Sequence, residues 1–295
     1  LHGGLVRPAR TALYTLGEVL NDLPNNPAIA QRILGIVMTG VSHYDSEIHR
    51  AALMVLCKEI FGSQRISMDF RHDYFVLLHK KLLTILSEPR EGKLTFFNRA
   101  AMLNYLYRFM IACQVQRGGF HFSPAKPAAF FPGTFDPFSV GHKKIVEEIR
   151  SMGFQVYLAI DEFSWSKKTL AKLMRRQIVV MSVADQWDTY LFPDDIPINI
   201  ANPKDLATLK HLLGYTELYL VAGSDVIRNA SAYRSTELGS AAEYNHIVFY
   251  RDREEEAQKP PLSSFIQGKL ETFSLPAFFE TVSSTRIRES VDQNL

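Results

Sequence analysis

Residues 128–142 read Ala-Ala-Phe-Phe-Pro-Gly-Thr-Phe-Asp-Pro-Phe-Ser-Val-Gly-His. The apolar run 128–132 predicts a buried strand, Gly133 a turn, and Gly141 the start of an amphipathic helix. A strand, a glycine-bearing loop and a helix N-terminus form, in this order, a site for phosphate, because the first helical N–H groups and the helix dipole favour negative charge. His142 would stand there as a further donor. The alternative is an ordinary strand, turn and helix that begins with a solvated histidine.

The same alternation of short apolar runs and amphipathic segments continues to the end of the chain. It predicts an α/β fold with a Rossmann-like, doubly wound parallel sheet, in which ligands bind beyond the carboxyl ends of the strands near the switch point. The predicted strands are 128–132, 155–160, 197–200, 217–222 and 246–250. The predicted helices are 141–152, 169–187, 203–213, a turn after Ser224, and a last helix from Ser284.

The first part of the chain has helical spacing and little strand signal. Asp45 or Ser46 is a candidate N-cap for one segment, and Gly62 follows its end. The predicted helices are 9–22, 28–41, 45–60, 68–87 and 94–115. We therefore expect an all-α domain over 1–117, as a bundle or HEAT-like helix pairs, a Gly- and Pro-containing linker over 118–127, and the α/β domain over 128–295.

The composition restricts the class of protein. The chain of 295 residues is 46% hydrophobic and 22% charged with a net charge of +2. These values are typical of a globular protein, and they predict neither a nucleic-acid partner nor a membrane segment. Cys57 and Cys113 fall in apolar helical patterns, which predicts buried reduced thiols and a cytoplasmic location. No Cys/His spacing indicates a metal site. Because the chain begins with Leu1, we expect a fragment of a longer protein.

Two motifs resemble the nucleotidylyltransferase superfamily with its H-x-G-H and I-S-S-T-x-I-R signatures. The first covers 133–142, and the second is Val-Ser-Ser-Thr-Arg-Ile-Arg at 282–288. The resemblance extends over about 126–295 and includes Gly223-Ser-Asp225, which is similar to the adenylyltransferases of nicotinate or nicotinamide mononucleotide. The first histidine of the signature falls on Ser139, which can donate one hydrogen bond but has no charge.

The resemblance implies a role for each matching residue. His142 would contact the transferring phosphate, with Ser139 as its partner. Lys167 or Lys168 would contact the acceptor phosphate. Arg288 would contact the leaving group. Nucleotide binding would involve Gly133, Thr134, Phe135, Gly141, Gly223, Asp225, Ser283, Ser284 and Thr285. The acceptor would contact Thr134, Tyr233 and Arg251, with Tyr233 at the spacing of a tryptophan that stacks on the pyridine ring. Tyr233 as a partly buried surface aromatic is the alternative.

The resemblance thus implies adenylyl transfer from ATP to nicotinate or nicotinamide mononucleotide, with release of pyrophosphate, in NAD synthesis. Mg²⁺ would be held by the ATP phosphates and by no protein ligand. Two alternatives stay open. One is an adenylyl- or cytidylyltransferase for another acceptor, such as pantetheine phosphate. The other is a non-catalytic nucleotide sensor, whose helical half would bind a protein partner.

Overall fold

The computed structural model describes residues 3–22, 26–87, 93–161, 170–214, 216–235, 237–250 and 259–276. The chain divides into two compact units. The first comprises Leu1–Ser123 together with Val183–Trp187, and the second comprises Pro124–Ser182 together with Asp188–Leu295.

The first unit is built from helices. Asp45 caps one of them by accepting hydrogen bonds from the N–H groups of Glu47 and Ile48, which confirms the predicted cap. Buried apolar side chains such as Phe61 and Leu78 form its core. The helices are α1 (Gly3–Asp22), α2 (Pro27–Val41), α3 (Ser46–Met54) continued by a π-helical stretch (Val55–Phe61), α4 (Met68–Ser87) and α5 (Lys93–Arg117).

Both cysteines are buried free thiols, as the sequence predicts. Burial raises the pKa of Cys57 to about 12, so this thiol is inert at neutral pH. Across the described ranges, the helices are too short or too polar to cross a bilayer.

The second unit contains a six-stranded parallel sheet with the order β3-β2-β1-β4-β5-β6. This order runs outward from β1 in both directions, so right-handed crossovers place helices on both faces, and the predicted Rossmann-like fold is confirmed. The elements are β1 (Ala128–Gly133), α6 (Val140–Ser151), β2 (Gln155–Ile160), α7 (Lys172–Ser182), β3 (Thr189–Leu191), α8 (Pro203–Leu213), β4 (Leu218–Gly223), α9 (Ser224–Asn229), β5 (Asn245–Tyr250) and β6 (Leu270–Ser274).

The switch point lies between β1 and β4, the two central strands. Both are apolar and buried over most of their length, as strands covered on two faces must be. Their register pairs Phe130 with Leu220, and each strand ends three residues later in a glycine, Gly133 in β1 and Gly223 in β4. The predicted phosphate loop and the Gly223-x-Asp225 motif therefore follow adjacent strands at one edge of the sheet.

The structure differs from the sequence prediction in three places. The predicted strand 197–200 is wrong, because the edge position beside β2 is occupied by 189–191. The helix predicted over 169–187 spans only Lys172–Ser182, and Val183–Trp187 belong to the helical unit. Strand β6 was not predicted, because three of its five residues are polar and all five are at least partly exposed, as suits an edge strand.

Candidate active site

The loop between β1 and α6 is held by aromatic packing. Phe135 has φ of 47°, a left-handed conformation that costs a residue with a Cβ about 1–2 kcal/mol. Its ring is buried against Phe131, Phe138 and His142, at centroid distances of 5.3, 5.4 and 5.3 Å. A Cβ on Gly133 would come within 3.0 Å of the same ring. Glycine at 133 and packing at 135 together fix the turn that leads into α6.

Ser139 and His142 form a reciprocal cap at the start of α6. The Ser139 N–H donates to Nδ1 of His142 at 3.0 Å, and the Ser139 hydroxyl lies 3.0 Å from the same nitrogen. In return, the His142 N–H donates to Ser139 Oγ at 3.5 Å. A ring nitrogen that accepts a hydrogen bond carries no proton, so the neutral ring has its proton on Nε2. The cap thus makes Nε2–H a donor at a helix N-terminus, where phosphate oxygens are favoured.

Replacing Ser139 by alanine is expected to lower the free energy of unfolding by about 1 kcal/mol, the usual cost of losing an N-cap. The backbone N–H of residue 139 still donates to His142, so we expect nucleotide binding to weaken less than with His142→Ala. Thermal unfolding and calorimetric ATP titration measure the two effects. Ser151→Ala at the exposed far end of α6 is the matched control. Equal destabilisation by both variants would contradict the capping role.

Gly223 ends β4, and Asp225 follows it in α9 at the same edge of the sheet. Asp225 is exposed in the first turn of α9, with its carboxylate folded back over Gly223. A Cβ at position 223 would lie 2.4 Å from Asp225 Oδ1 and 3.3 Å from the ring of Phe249. Only glycine therefore allows this carboxylate position. A carboxylate placed so can accept two hydrogen bonds from a ribose diol.

We expect Gly223→Ala to displace the Asp225 carboxylate and to weaken ATP binding by about 10- to 100-fold, the worth of a hydrogen bond to a charged group. Binding of inorganic pyrophosphate, which has no ribose, should stay unchanged. Calorimetric titration with both ligands tests the difference. Gly35→Ala is the control, since its Cβ would make an ordinary 3.6 Å contact. Equal losses for ATP and pyrophosphate would exclude a ribose contact at Asp225.

Tyr233 lies inside the core and not on the surface of the site. It is 5% exposed and packs in the cluster formed by β1, β4 and β5. Its hydroxyl lies 3.1 Å from Nε2 of His246, a fully buried residue on β5 whose Nδ1–H donates to the Tyr244 carbonyl at 2.8 Å. Neutral His246 therefore accepts from Tyr233. In this arrangement the ring of Tyr233 packs against protein, and stacking on an acceptor would require it to move.

Arg175 and Asp136 were not predicted as site residues. Arg175 is 2% exposed and donates to carbonyl groups at the ends of β1 and β2, while buried Asp136 accepts from the Leu170 N–H at 3.3 Å. Arg175-Arg176 resembles any basic surface pair. The one sequence signal is helical phase, which places Arg175 on the same face as buried Val179.

Several predicted site residues lie outside the described residues. They are Lys167, Lys168, Arg251, Ser283, Ser284, Thr285 and Arg288. Within the described ranges, His, Cys, Asp and Glu side chains form no group of three that could hold a metal ion. The residues that the structure brings together at the strand ends are Gly133, Thr134, Phe135, Ser139, Gly141, His142, Gly223 and Asp225.

Comparison with known proteins gives one family match. A family model described as cytidylyltransferase-like matches residues 130–290, more than half of the chain. Among solved structures, Plasmodium falciparum nicotinic acid mononucleotide adenylyltransferase complexed with NaAD is 18% identical, covering 56% of this chain and 83% of that chain with a TM-score of 0.45. The same enzyme complexed with APC gives the same identity and coverage with a TM-score of 0.44. No curated protein matches.

Proposed function

The chain belongs to the cytidylyltransferase-like family, and on that premise we propose that it is an enzyme that transfers a nucleotidyl group to a phosphorylated acceptor. One observation supports this above the others: the Ser139 N–H donates to Nδ1 of His142 at 3.0 Å. That hydrogen bond fixes Nε2–H as the donor at the N-terminus of α6. The donor follows β1, at the switch point where a sheet of this order binds ligands.

The reaction that we propose is adenylyl transfer. An oxygen of the acceptor phosphate attacks the α-phosphorus of ATP, a new P–O–P bond forms, the bond from the α-phosphorus to the bridging oxygen breaks, and pyrophosphate leaves. No protein nucleophile is needed, so catalysis consists of positioning two anions and stabilising charge on the reacting phosphate. His142 would donate from Nε2 to that phosphate. Mg²⁺ would arrive bound to the ATP phosphates, since it prefers oxygen ligands of this kind.

The proposed acceptor is nicotinate or nicotinamide mononucleotide, which would make the reaction a step of NAD synthesis in the cytoplasm. Its support is the Gly223-x-Asp225 motif, whose carboxylate lies at the end of β4 beside β1. The remaining roles come from the motif resemblance alone. Lys167 or Lys168 would bind the acceptor phosphate, and Arg251 would contact the acceptor. The leaving pyrophosphate would be held by Ser283, Ser284, Thr285 and Arg288. Tyr233 would take part only after leaving the core.

Nucleotide binding without turnover is the second candidate, and it is favoured by the state of Ser139. The H-x-G-H signature that this chain resembles has a histidine at this position. Here the hydroxyl of Ser139 is used to cap α6 and to hold the ring of His142. It therefore adds no charge beside the transferring phosphate. A site of this kind can bind a nucleotide and still lack the charge stabilisation that turnover requires.

A pyrophosphate-release assay separates these candidates. ATP and CTP would each be combined with nicotinate mononucleotide, nicotinamide mononucleotide and pantetheine phosphate, and nucleotide binding would be measured in parallel by calorimetry. We expect release with ATP and a pyridine mononucleotide. Release that occurs only with CTP, or only with pantetheine phosphate as acceptor, would reject the proposed substrates. It would still support nucleotidyl transfer as the reaction. ATP binding with no release for any pair would support the second candidate, and no nucleotide binding would reject both.

A further inference from the structure

A buried guanidinium lies beneath the phosphate loop. Arg175 is in the first turn of α7 and is only 2% exposed, although arginine is rarely buried without a partner. Its neighbour Arg176 has a side chain that is 19% exposed, and it pairs with the carboxylate of Asp194 at 2.9 Å. The two adjacent arginines therefore have different environments, and only the first of them faces the strand ends.

Arg175 donates three hydrogen bonds, all to backbone carbonyls. Nη1 donates to the carbonyl of Thr134 at 2.6 Å and to that of Asp161 at 3.1 Å, and Nε donates to that of Leu170 at 3.0 Å. Thr134 directly follows β1, Asp161 directly follows β2, and Leu170 precedes α7. One side chain thus joins three segments at the edge of the sheet where the candidate site lies.

These bonds change the electrostatics of that edge. Carbonyls at the carboxyl ends of parallel strands carry partial negative charge, which disfavours a phosphate nearby. Here the Gly133 carbonyl accepts a hydrogen bond from the Asp161 N–H at 3.0 Å. Arg175 donates to the carbonyls of Thr134 and Asp161, the residues that directly follow β1 and β2. All its acceptors within the described ranges are carbonyls, so no carboxylate in that part of the chain neutralises it by direct contact.

The carboxyl group of Asp161 is influenced by the same cation. Burial raises the pKa of Asp161, and the positive charge of Arg175 partly opposes this increase. The direction of the net shift shows that burial outweighs the attraction. Arg175 also donates to the Thr134 carbonyl at 2.6 Å, so its positive charge lies directly against the loop that carries Thr134.

We propose that Arg175 is a positioning residue of the phosphate site: it turns the strand-end carbonyls of Thr134 and Asp161 away from a bound anion and places positive charge behind the loop. This inference rests on the proposed function in assuming that the loop binds nucleotide phosphates. Arg175 itself does not touch the nucleotide. It acts on the polyphosphate and not on the base or the ribose.

The selectivity for phosphate provides the test. Arg175→Gln, which removes the charge and keeps a hydrogen-bonding side chain, would be titrated calorimetrically with inorganic pyrophosphate, ATP and the uncharged ligand adenosine. We expect affinity for pyrophosphate and ATP to fall by about 10- to 100-fold, the size found when groups that orient ion ligands are removed. Adenosine affinity should not change. Arg175→Lys should restore part of the loss, and Arg176→Gln should bind like the unchanged protein.

Each outcome decides the matter. Unchanged pyrophosphate affinity in folded Arg175→Gln would overturn the proposal, and so would equal losses for ATP and adenosine, which indicate a purely structural role. If Arg175→Gln fails to fold, Arg175→Lys replaces it: a selective loss for phosphates supports the proposal, and wild-type affinity overturns it. ATP binding without pyrophosphate release would reject the proposed enzymatic activity. The role of Arg175 would then be decided by the affinities of the variants for pyrophosphate and adenosine. A wild-type chain that binds neither ATP nor pyrophosphate would overturn both.

Discussion

Replacing His142 by alanine is expected to reduce pyrophosphate release by about 100- to 1000-fold, the usual cost of removing one donor from a developing oxyanion. The reason is the orientation of the ring. Its Nδ1 accepts a hydrogen bond from the Ser139 N–H, so Nε2–H is the group that can donate to the reacting phosphate in the transition state. The loss should appear mainly in kcat, because charge on the phosphate increases as the transition state forms.

His211→Ala is the matched control for this substitution, because His211 is exposed in the last turn of α8. It should leave turnover unchanged. Circular dichroism and thermal unfolding would show that both variants are folded. Full turnover by folded His142→Ala would contradict the assignment of this histidine to the transferring phosphate, and equal losses in the two variants would point to a cause other than the site.

The free energy of unfolding should fall by about 3 kcal/mol between pH 6.5 and pH 4 because of His246 alone. Burial lowers the pKa of His246 from 6.5 to about 4. Between these two values the unfolded chain binds a proton that the folded chain does not bind. Stability therefore decreases as the pH falls through this window, and the contribution of His246 to the pH dependence disappears within about one pH unit above it.

Denaturant unfolding at a series of pH values would isolate this contribution. His246→Gln keeps a neutral hydrogen-bonding side chain at every pH, so its stability should fall less steeply below pH 6.5 than that of the unchanged protein. The control is His211→Gln, which alters an exposed histidine. Parallel curves for His246→Gln and the unchanged chain would show that His246 is not held neutral. A smaller slope would also support the hydrogen bond that keeps Tyr233 in the core.

The elements with strong local signals were predicted from the sequence. Strands β1 and β4 are short apolar runs that end in glycine, and burial on both faces requires that composition. A further strand was predicted over 197–200, next to Ile196 and including Ile198 and Ile200. These residues do pack on the core of the second unit, but Thr189–Leu191 occupy the place beside β2. Which segment becomes the edge strand depends on pairing between segments that are distant in the sequence. The local spacing of apolar residues gives no information about that pairing.

The residues of the candidate site also fall into two groups, those that the sequence could indicate and those that only the folded structure reveals. Gly133, His142, Gly223 and Asp225 belong to local motifs, so the sequence could indicate them. Arg175 could not be distinguished from its partly exposed neighbour Arg176, since its role depends on carbonyls at two strand ends that meet only in the folded sheet. A further case is Tyr233, for which the family resemblance implied contact with an acceptor. The structure places it inside, where a polar residue of β5 accepts from its hydroxyl.

A crystal structure of the protein with a non-hydrolysable ATP analogue would show whether the two motifs share one nucleotide. We expect the phosphates to lie within hydrogen-bonding distance of His142 Nε2 and the first N–H groups of α6, with the ribose at Asp225 and residues 283–288 on the same polyphosphate. An analogue bound away from the ends of β1 and β4, or residues 283–288 on another face of the sheet, would contradict this account.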